Sequence, residues 1–423
     1  METLRINYLS SIQSLSWWSF TIVVLTIYNL TPSLESFDTK YYFLAGEKFW
    51  NGEIDCLRTP IYPLLLKILQ VLFGSTHIYA SITIFQSFVY LLSLISMRRV
   101  IGLTIHNTKL QLVLLFFYVS CIAPGWCNEL TTESLSISGC IIITDLVFSI
   151  IYRPSIIKVI TCHIVLLILV FLRPTFILFF AIFPIIWLNQ MWVVPQRKIY
   201  LIALTLTICS IACFVGYGKF YERQYGKFGV STTFVFNKIY DAHRGGYWDP
   251  NAVDNIVSKQ WIETIDNNYD GTYDYTYRLI TESPDVLSYI NNGCDEMILK
   301  HKQEHLRYRI SLFASSFDKR LLAAVNTHTA FSSILFVFSL FLSFPLSLFY
   351  LIVVISSIAI GINVLKKRRI PIIAFFIIIT ILAQTVGIVL TTSDAYERVL
   401  LPIYPLFVIL MGMIYEKIVL WFD

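Results

Sequence analysis

Residues 37–63 read FDTKYYFLAGEKFWNGEIDCLRTPIYP and follow directly on the first long apolar run, Trp17–Leu30. The stretch sets Asp38, Lys40, Tyr41, Tyr42, Glu47, Lys48 and Arg58 beside that hydrophobic segment. Whether these side chains belong to a soluble fold or to the edge of a bilayer decides the architecture, and composition gives the answer. The chain has 423 residues, of which 56% are hydrophobic and only 14% charged, with mean hydropathy +0.68. Soluble domains carry about 25% charged residues. Apolar runs recur along nearly the whole length, each near the roughly 20 residues that cross hydrocarbon as a helix. A membrane barrel would show short alternating segments instead. The expected fold is all-α, a polytopic transmembrane helical bundle of about ten spans, with interfacial helices and a mostly helical outer-face domain. A charged, aromatic loop held at a bilayer surface suits chemistry on a lipid-linked polar substrate.

The net charge is +5, and its placement matters more than its size. Basic clusters at Arg98-Arg99, Arg153–Lys158, Arg197-Lys198 and Lys366–Arg369 lie in short loops, which marks the cytoplasmic side. Being brief and flanked by spans, they do not form a nucleic-acid surface. With Arg5 cytoplasmic, the first span delivers Phe37–Arg58 to the far side. Its lack of a small-residue cleavage site makes it a retained anchor, not a signal peptide. Ile61–Phe73 is short, carries Lys67 and Gln70, and is expected to lie along the interface. Further spans are expected near His77–Met97, Lys109–Gly125, Thr131–Ile151, Ile157–Leu172, Thr175–Val193 and Ile199–Tyr217. Residues 1–217 thus form an N-terminal membrane module whose first outer loop covers 31–63.

From Gly218 to Thr329, charges of both signs and many tyrosines replace span-length apolar runs, so 218–330 is expected to fold as a small outer-face domain. Asp295–Ala324 shows helix-favouring composition with interleaved apolar residues. Residues 331–423 are expected to be C-terminal membrane helices. Phe331–Val364 is too long for one crossing, at about 1.5 Å per residue. It is divided into an interfacial helix, Phe331–Phe344, and a span, Leu346–Val364, which keeps Lys366–Arg369 inside. Ile370–Leu390 returns outward, Thr391–Arg398 turns, and Leu400–Tyr415 goes back. The eight cysteines show no paired spacing. Those in apolar runs read as small buried hydrophobes, and a disulfide among Cys56, Cys127 and Cys294 stays open.

This topology brings Asp38, Arg58, Glu129, Glu133, Arg173 and Asp394-Glu397-Arg398 to one face. Ionisable groups at span ends are functional candidates because burying them unpaired is costly, although snorkelling into headgroups is the plain alternative. Asp38 with Tyr41/Tyr42, Ala45, Gly52 and Arg58-Thr-Pro60-Ile-Tyr62-Pro63 resembles the first outer loop of the GT-C glycosyltransferases. The likeness is to the bacterial group around protein O-mannosyltransferases and the aminoarabinose transferase of lipid A. Thr131-Thr132-Glu133-Ser134-Leu135, Arg173-Pro174-Thr175, Tyr221–Gly229 (YERQYGKFG) and Glu397-Arg398-Val-Leu-Leu-Pro402-Ile-Tyr-Pro405 resemble further segments of that group, in the same order. Gln224 stands where Asn is usual, and Val399 where Tyr is usual.

The resemblance implies transfer of a sugar from a polyprenyl phosphate or diphosphate to a lipid, glycan or protein acceptor. It also implies a bacterial inner membrane, with the site facing the periplasm. Inverting glycosyl transfer needs a carboxylate to take the acceptor's proton. Asp38 is the candidate base; as an alternative it caps the helix starting near Thr39. The departing phosphate needs a cation in a dry setting, and Arg58 is the first choice because a guanidinium grips two phosphate oxygens. Lys48, Arg173 and Arg398 are further candidates, with Arg398 alternatively paired to Glu397 or Asp394 as a clasp. Glu133, Tyr41, Tyr42, Tyr62, His243 and Glu397 are candidate substrate contacts. Tyr41 and Tyr42 have the interfacial aromatic belt as their alternative, and Glu133 a buried structural hydrogen bond. Asp241, His243 and Arg244 precede Gly245-Gly246, which allows a mobile acceptor-binding loop. No His/Asp spacing matches a ligand pattern, so no metal and no other cofactor is expected. There is no phosphate-binding Gly-Lys loop and no dinucleotide fingerprint, as suits a lipid donor. A lipid-linked oligosaccharide flippase or transporter and a surface-polysaccharide polymerase or ligase remain the competing readings.

Overall fold

The computed structural model describes residues 11–30, 33–36, 38–120, 122–272, 274–321, 333, 337, 343–367, 372–392 and 396–422. Most of them are helical. The N-terminal half contains α1 (Ser11–Asn29), α2 (Thr39–Trp50), α3 (Ile61–Phe73), α4 (Ile78–Thr104), α5 (Thr108–Ser120), α6 (Ala123–Trp126), α7 (Glu133–Tyr152), α8 (Ile156–Leu172), α9 (Phe179–Val193) and α10 (Arg197–Tyr225). A polar set follows: α11 (Thr233–Arg244), α12 (Ile256–Asp266), α13 (Asp274–Glu282), α14 (Val286–Lys300) and α15 (Lys302–Ser315). The chain closes with α16 (Leu346–Lys367), α17 (Ile372–Thr391), α18 (Tyr396–Val399) and α19 (Tyr404–Phe422). Two residue pairs, β1 (Arg320–Leu321) and β2 (Phe344–Pro345), make a short antiparallel ladder.

The protein is a multi-pass helical membrane protein. Among the described residues, 6 helical segments are long and apolar enough to cross a membrane: Ser75–Thr104, Thr108–Trp126, Glu133–Tyr152, Pro174–Val193, Arg197–Tyr225 and Ile372–Val389. Ile61–Phe73, Ile156–Leu172, Leu346–Ala359 and Leu401–Glu416 are apolar but shorter. In α4, Ile84, Phe88, Leu92 and Ile95 lie bare along one face while Ile82, Tyr90, Leu94 and Met97 are buried on the other. A helix with an exposed apolar stripe suits lipid on that side and protein on the other.

Helix α7 is the innermost, buried along most of its length. Gly139 permits its close approach to α8, since a Cβ there would stand 2.2 Å from Leu169 Cδ2. Gly139→Ile should therefore destabilise the protein by about 1–3 kcal/mol through overpacking. The check is the thermal midpoint in detergent, where an unchanged midpoint would contradict this packing.

Two differences from the sequence expectation concern the polar region. Helix α10 does not stop at Tyr217 but runs on through Gly218 to Tyr225 and ends at Gly226, which has φ +67°. Residues 38–63 of the first outer loop are also packed against the polar helices. Tyr41, Ile54, Cys56 and Leu57 share a hydrophobic core with Tyr221, Tyr225, Val235, Phe236, Ile239, Ile262 and Ile290. The loop and the helices α11–α14 thus pack as one cap over the end of the bundle that carries Asp38. Cys56, Cys127 and Cys294 are all free and buried. The interfacial helix expected over Phe331–Phe344 lies largely outside the described residues.

Candidate active site

Asp38 occupies the position before the first turn of α2, yet its side chain makes no capping hydrogen bond. It points instead into a cluster of guanidinium groups. Arg58 Nη2 donates to Asp38 Oδ1, and Arg398 Nη2 donates to Asp38 Oδ2 at 2.7 Å. Arg398 also donates through Nε to Glu133 Oε1 at 2.6 Å, and Arg173 Nη1 stands 3.5 Å from the same oxygen. One arginine near the end of the chain therefore joins the first outer loop to the start of α7. The alternative clasp between Arg398 and Glu397 does not form: Glu397 stands 3.8 Å from Lys319, and Asp394 lies outside the described residues.

Each member is held by local structure. The buried Asp55 carboxylate accepts from the backbone N–H of Leu57 at 2.9 Å and of Arg58 at 2.8 Å, a turn built by an Asp on its own downstream backbone. The segment YERQYGKFG anchors the same stretch. Tyr221 donates to Cys56 O at 2.8 Å, Tyr225 to Ile54 O at 2.7 Å, and Gln224 Nε2 to Ile54 O at 3.3 Å. Ser231 Oγ donates to Leu57 O at 2.6 Å. The Tyr42 ring lies under the Arg58 guanidinium at 4.5 Å, within cation–π range, and Tyr62 meets Tyr42 edge-on at 4.8 Å. Arg58 is thus fixed from above by its turn and from below by a ring.

These groups line one end of a cavity of about 550 Å³. Asp38, Tyr42, Arg58, Glu133, Arg173 and Arg398 form its polar end. Leu172, Pro174, Ile177, Leu178, Gly387 and Ile388 form an apolar flank between the turn that joins α8 to α9 and the end of α17, and Ser231, Thr233, Phe234 and Asn237 close it from the cap. Three guanidiniums face two carboxylates, leaving one unbalanced positive charge in a largely desolvated place. Such a charge calls for an anion. Arg58 Nε, Arg173 Nη1 and Glu133 Oε2 are buried without hydrogen-bond partners. Burial works to raise the Asp38 pKa, but the Arg58 and Arg398 charges outweigh it and hold the carboxyl well below the usual carboxylate range.

Glu129 behaves in the opposite way. Burial, then the nearby Glu133 carboxylate, pushes its carboxyl up to about 8, Asp38 adding to the rise and Arg398 only partly offsetting it. The folded protein therefore holds a proton there from the ordinary carboxylate range up to about 8, and the unfolded chain does not. The contribution of Glu129 to stability falls as pH rises through that window. Glu129→Gln should flatten the fall and raise the thermal midpoint at alkaline pH, measured from about pH 5 to about pH 9. An unchanged pH slope would contradict this reading of Glu129.

The remaining sequence candidates sit elsewhere. Tyr41 donates to Asp274 in the cap and meets Tyr277 edge-on at 5.0 Å. Lys48 stands 3.3 Å from Asp55 and donates to Thr281 at 3.2 Å. His243 is on helix α11, not a loop, with its ring sandwiched between Trp248 at 4.0 Å and Tyr269 at 3.8 Å. Burial lowers its pKa to about 4, so it is neutral at physiological pH. Tyr41, Lys48, Tyr62, His243 and Glu397 do not line the cavity. Conversely, Ser231, Thr233, Asn237 and Gln384 line it, and Asp55 holds the backbone of the lining residues Leu57 and Arg58, although nothing singled them out in the sequence. An Asp three residues before an Arg, in a stretch with turn composition, was the available signal for Asp55. Among the described residues, no group of three or more His, Cys, Asp or Glu is placed to hold a metal ion.

No protein-family model matches the sequence, and no curated protein matches it. Solved structures do match. The oligosaccharyltransferase AglB of Archaeoglobus fulgidus, in complex with an inhibitory peptide and a dolichol-phosphate, is similar with TM-score 0.50 at 12% identity, over 97% of this chain and 52% of that chain. The apo form of the Archaeoglobus fulgidus oligosaccharyltransferase gives 0.49 at 10% identity, over 96% and 51%. The chain spans about half the length of these proteins. At such identity the likeness is one of fold.

Proposed function

We propose that the protein is a membrane glycosyltransferase that takes a sugar from a polyprenyl-phosphate-type lipid and passes it, with inversion, to a lipid, glycan or protein acceptor. The site is read as facing the periplasm of a bacterial inner membrane, because the basic clusters lie at the other ends of the spans. The observation that carries the reading is a single cavity with surplus guanidinium charge at one end and an apolar flank at the other. That pairing suits a phosphate joined to an isoprenoid tail. The fold likeness supports it, since the archaeal neighbour is seen with dolichol-phosphate.

In this scheme an acceptor hydroxyl attacks the anomeric carbon, the carbon–oxygen bond to the phosphate breaks, and a carboxylate takes the hydroxyl proton. Asp38 is the assigned base, though in the resting site two guanidiniums suppress its basicity. A base works best with a pKa near the operating pH. The incoming phosphate resolves the conflict: it competes for Arg58 and Arg398, loosens their hold on Asp38, and restores the carboxylate's basicity only when donor is present. Arg58, Arg173 and Arg398 then meet the charge that grows on the departing phosphate. Glu133 keeps Arg398 oriented, and Tyr42 supports Arg58. Lys48, Tyr41, Tyr62, His243 and Glu397 act, in this reading, through the packing of the cap and loop around the substrate.

Native mass spectrometry of detergent-purified protein with a short-chain polyprenyl phosphate tests the site. The lipid phosphate should stay bound to the wild type, and Arg173→Gln should weaken it about tenfold. Equal retention of the matching polyprenol, which lacks phosphate, would overturn the assignment.

A further inference from the structure

Arg309 lies on α15, which follows the cap helices, away from the cluster around Asp38. Its Nη1 donates to Asp241 Oδ2 at 3.0 Å and to Thr392 O at 2.7 Å, and its Nη2 donates to Val389 O at 2.9 Å. Asp241 is buried on α11, and the Arg309 side chain is 12% exposed. The two carbonyls belong to the C-terminal end of α17, where a helix leaves its last acceptors without partners and where a cation interacts favourably with the dipole. A capping arginine from a separate element is therefore stabilising in itself.

Its location gives it more than that. Gly387, Ile388 and Thr392, at this end of α17, line the cavity, and the chain continues from Thr392 to α18, which carries Arg398. Helix α11, which supplies Asp241, also supplies Thr233, Phe234 and Asn237 to the opposite wall. On its other side α17 is tied to the turn between α8 and α9, where Gln384 Nε2 donates to Thr175 O at 2.9 Å. One arginine thus spans the gap between the cap wall and the membrane wall of the cavity.

We propose that Arg309 is a positioning residue: by holding the end of α17 against α11, it sets where Arg398 stands relative to Asp38 and keeps the cavity wall closed. The proposal rests on the role given to Arg398 in the proposed function. Asp241 orients the guanidinium, and its other oxygen, Oδ1, is buried without a hydrogen-bond partner. Lysine in place of Arg309 can reach some of the same acceptors but cannot fork to both carbonyls and the carboxylate.

Two measurements test this, and only one needs a substrate. Spin labels at Gln303→Cys on α15 and Val386→Cys on α17, both exposed positions, report the distance between the two helices by pulsed EPR. The exposed Cys209 and Cys213 are first replaced by alanine. The parent protein should give one narrow distribution, and Arg309→Met a broadened or lengthened one. An identical distribution in Arg309→Met would overturn the latch whatever the protein's activity. The second measurement is transfer: Arg309→Met should lower kcat about 10²-fold, as a small misplacement of a reacting constellation does, and Arg309→Lys should recover part of the loss. Combined with Arg398→Gln, Arg309→Met should add little, because both act on one element. Fully additive losses would overturn the positioning role. If the parent protein transfers no sugar, the proposed function fails while the distance measurement still decides the latch.

Discussion

Replacing Asp38 by asparagine should lower sugar transfer by about 10³-fold, in the range set by removing a positioned proton acceptor. The change keeps the side chain's shape but alters both of its contacts. Oδ1 can still accept from one guanidinium, while Nδ2 presents donors to the other, so Arg58 and Arg398 lose their shared counter-charge. Stability should therefore fall along with activity, and the two effects must be separated. Donor binding does so. Without Asp38's charge, both arginines are freer for phosphate, so Asp38→Asn should bind the polyprenyl phosphate at least as tightly as wild type while failing to turn over. Loss of donor binding in a folded Asp38→Asn protein would instead make Asp38 a structural anchor. The linkage has a sign as well. The folded-state pKa of Asp38 is depressed, so its contribution to stability is present above the ordinary carboxylate range and is lost only as pH falls through the much lower folded value.

The second large effect is expected at Arg398. It is the only described residue bonded to both Asp38, in the first outer loop, and Glu133, at the start of α7. Arg398→Gln should reduce kcat by about 10²–10³-fold, the range seen when one donor to a developing oxyanion is removed. Arg398→Lys should recover little, because a compact ammonium lacks the planar fork whose Nε and Nη2 reach Glu133 and Asp38 from two fixed positions. KM for the donor should rise as well, since one of three guanidiniums facing the phosphate is gone. Steady-state kinetics with varied donor measures both. A lysine variant with wild-type kcat would show that only charge, and not the fork, is needed.

The sequence revealed the membrane class, because span-length apolar runs with scarce charge suit a bilayer and little else. It also revealed which segments meet at the polar end of the bundle, since loops at alternate span ends must share a face. Asp38, Arg58, Glu133, Arg173 and Arg398 were each singled out in this way, and the structure brings them into one cavity. What stayed hidden was pairing. Nothing local distinguishes Arg398, bonded to Asp38, from Lys48, bonded to Asp55 and Thr281, or from Tyr41, bonded to Asp274. Periodicity tells which face a side chain occupies, whereas its partner depends on how distant helices dock. His243 illustrates the same limit. Beside two glycines it reads as part of a loop, yet the apolar spacing of Val235, Phe236, Ile239 and Ala242 makes α11 a helix whose last turn buries the imidazole between two rings. The cap's hold on loop 37–63 was hidden by a different cause: Tyr221 and Tyr225 lie on an extension of α10 beyond its apolar run, where hydropathy gives no signal.

The most direct test reconstitutes the purified protein in liposomes with radiolabelled sugars linked to polyprenyl phosphate and polyprenyl diphosphate, and follows release of the free lipid phosphate. The account predicts release above the protein-free background with at least one of these donors, together with an inverted anomeric linkage in the product. It is contradicted if the folded protein moves the intact lipid across the bilayer without cleaving it, or if the linkage is retained.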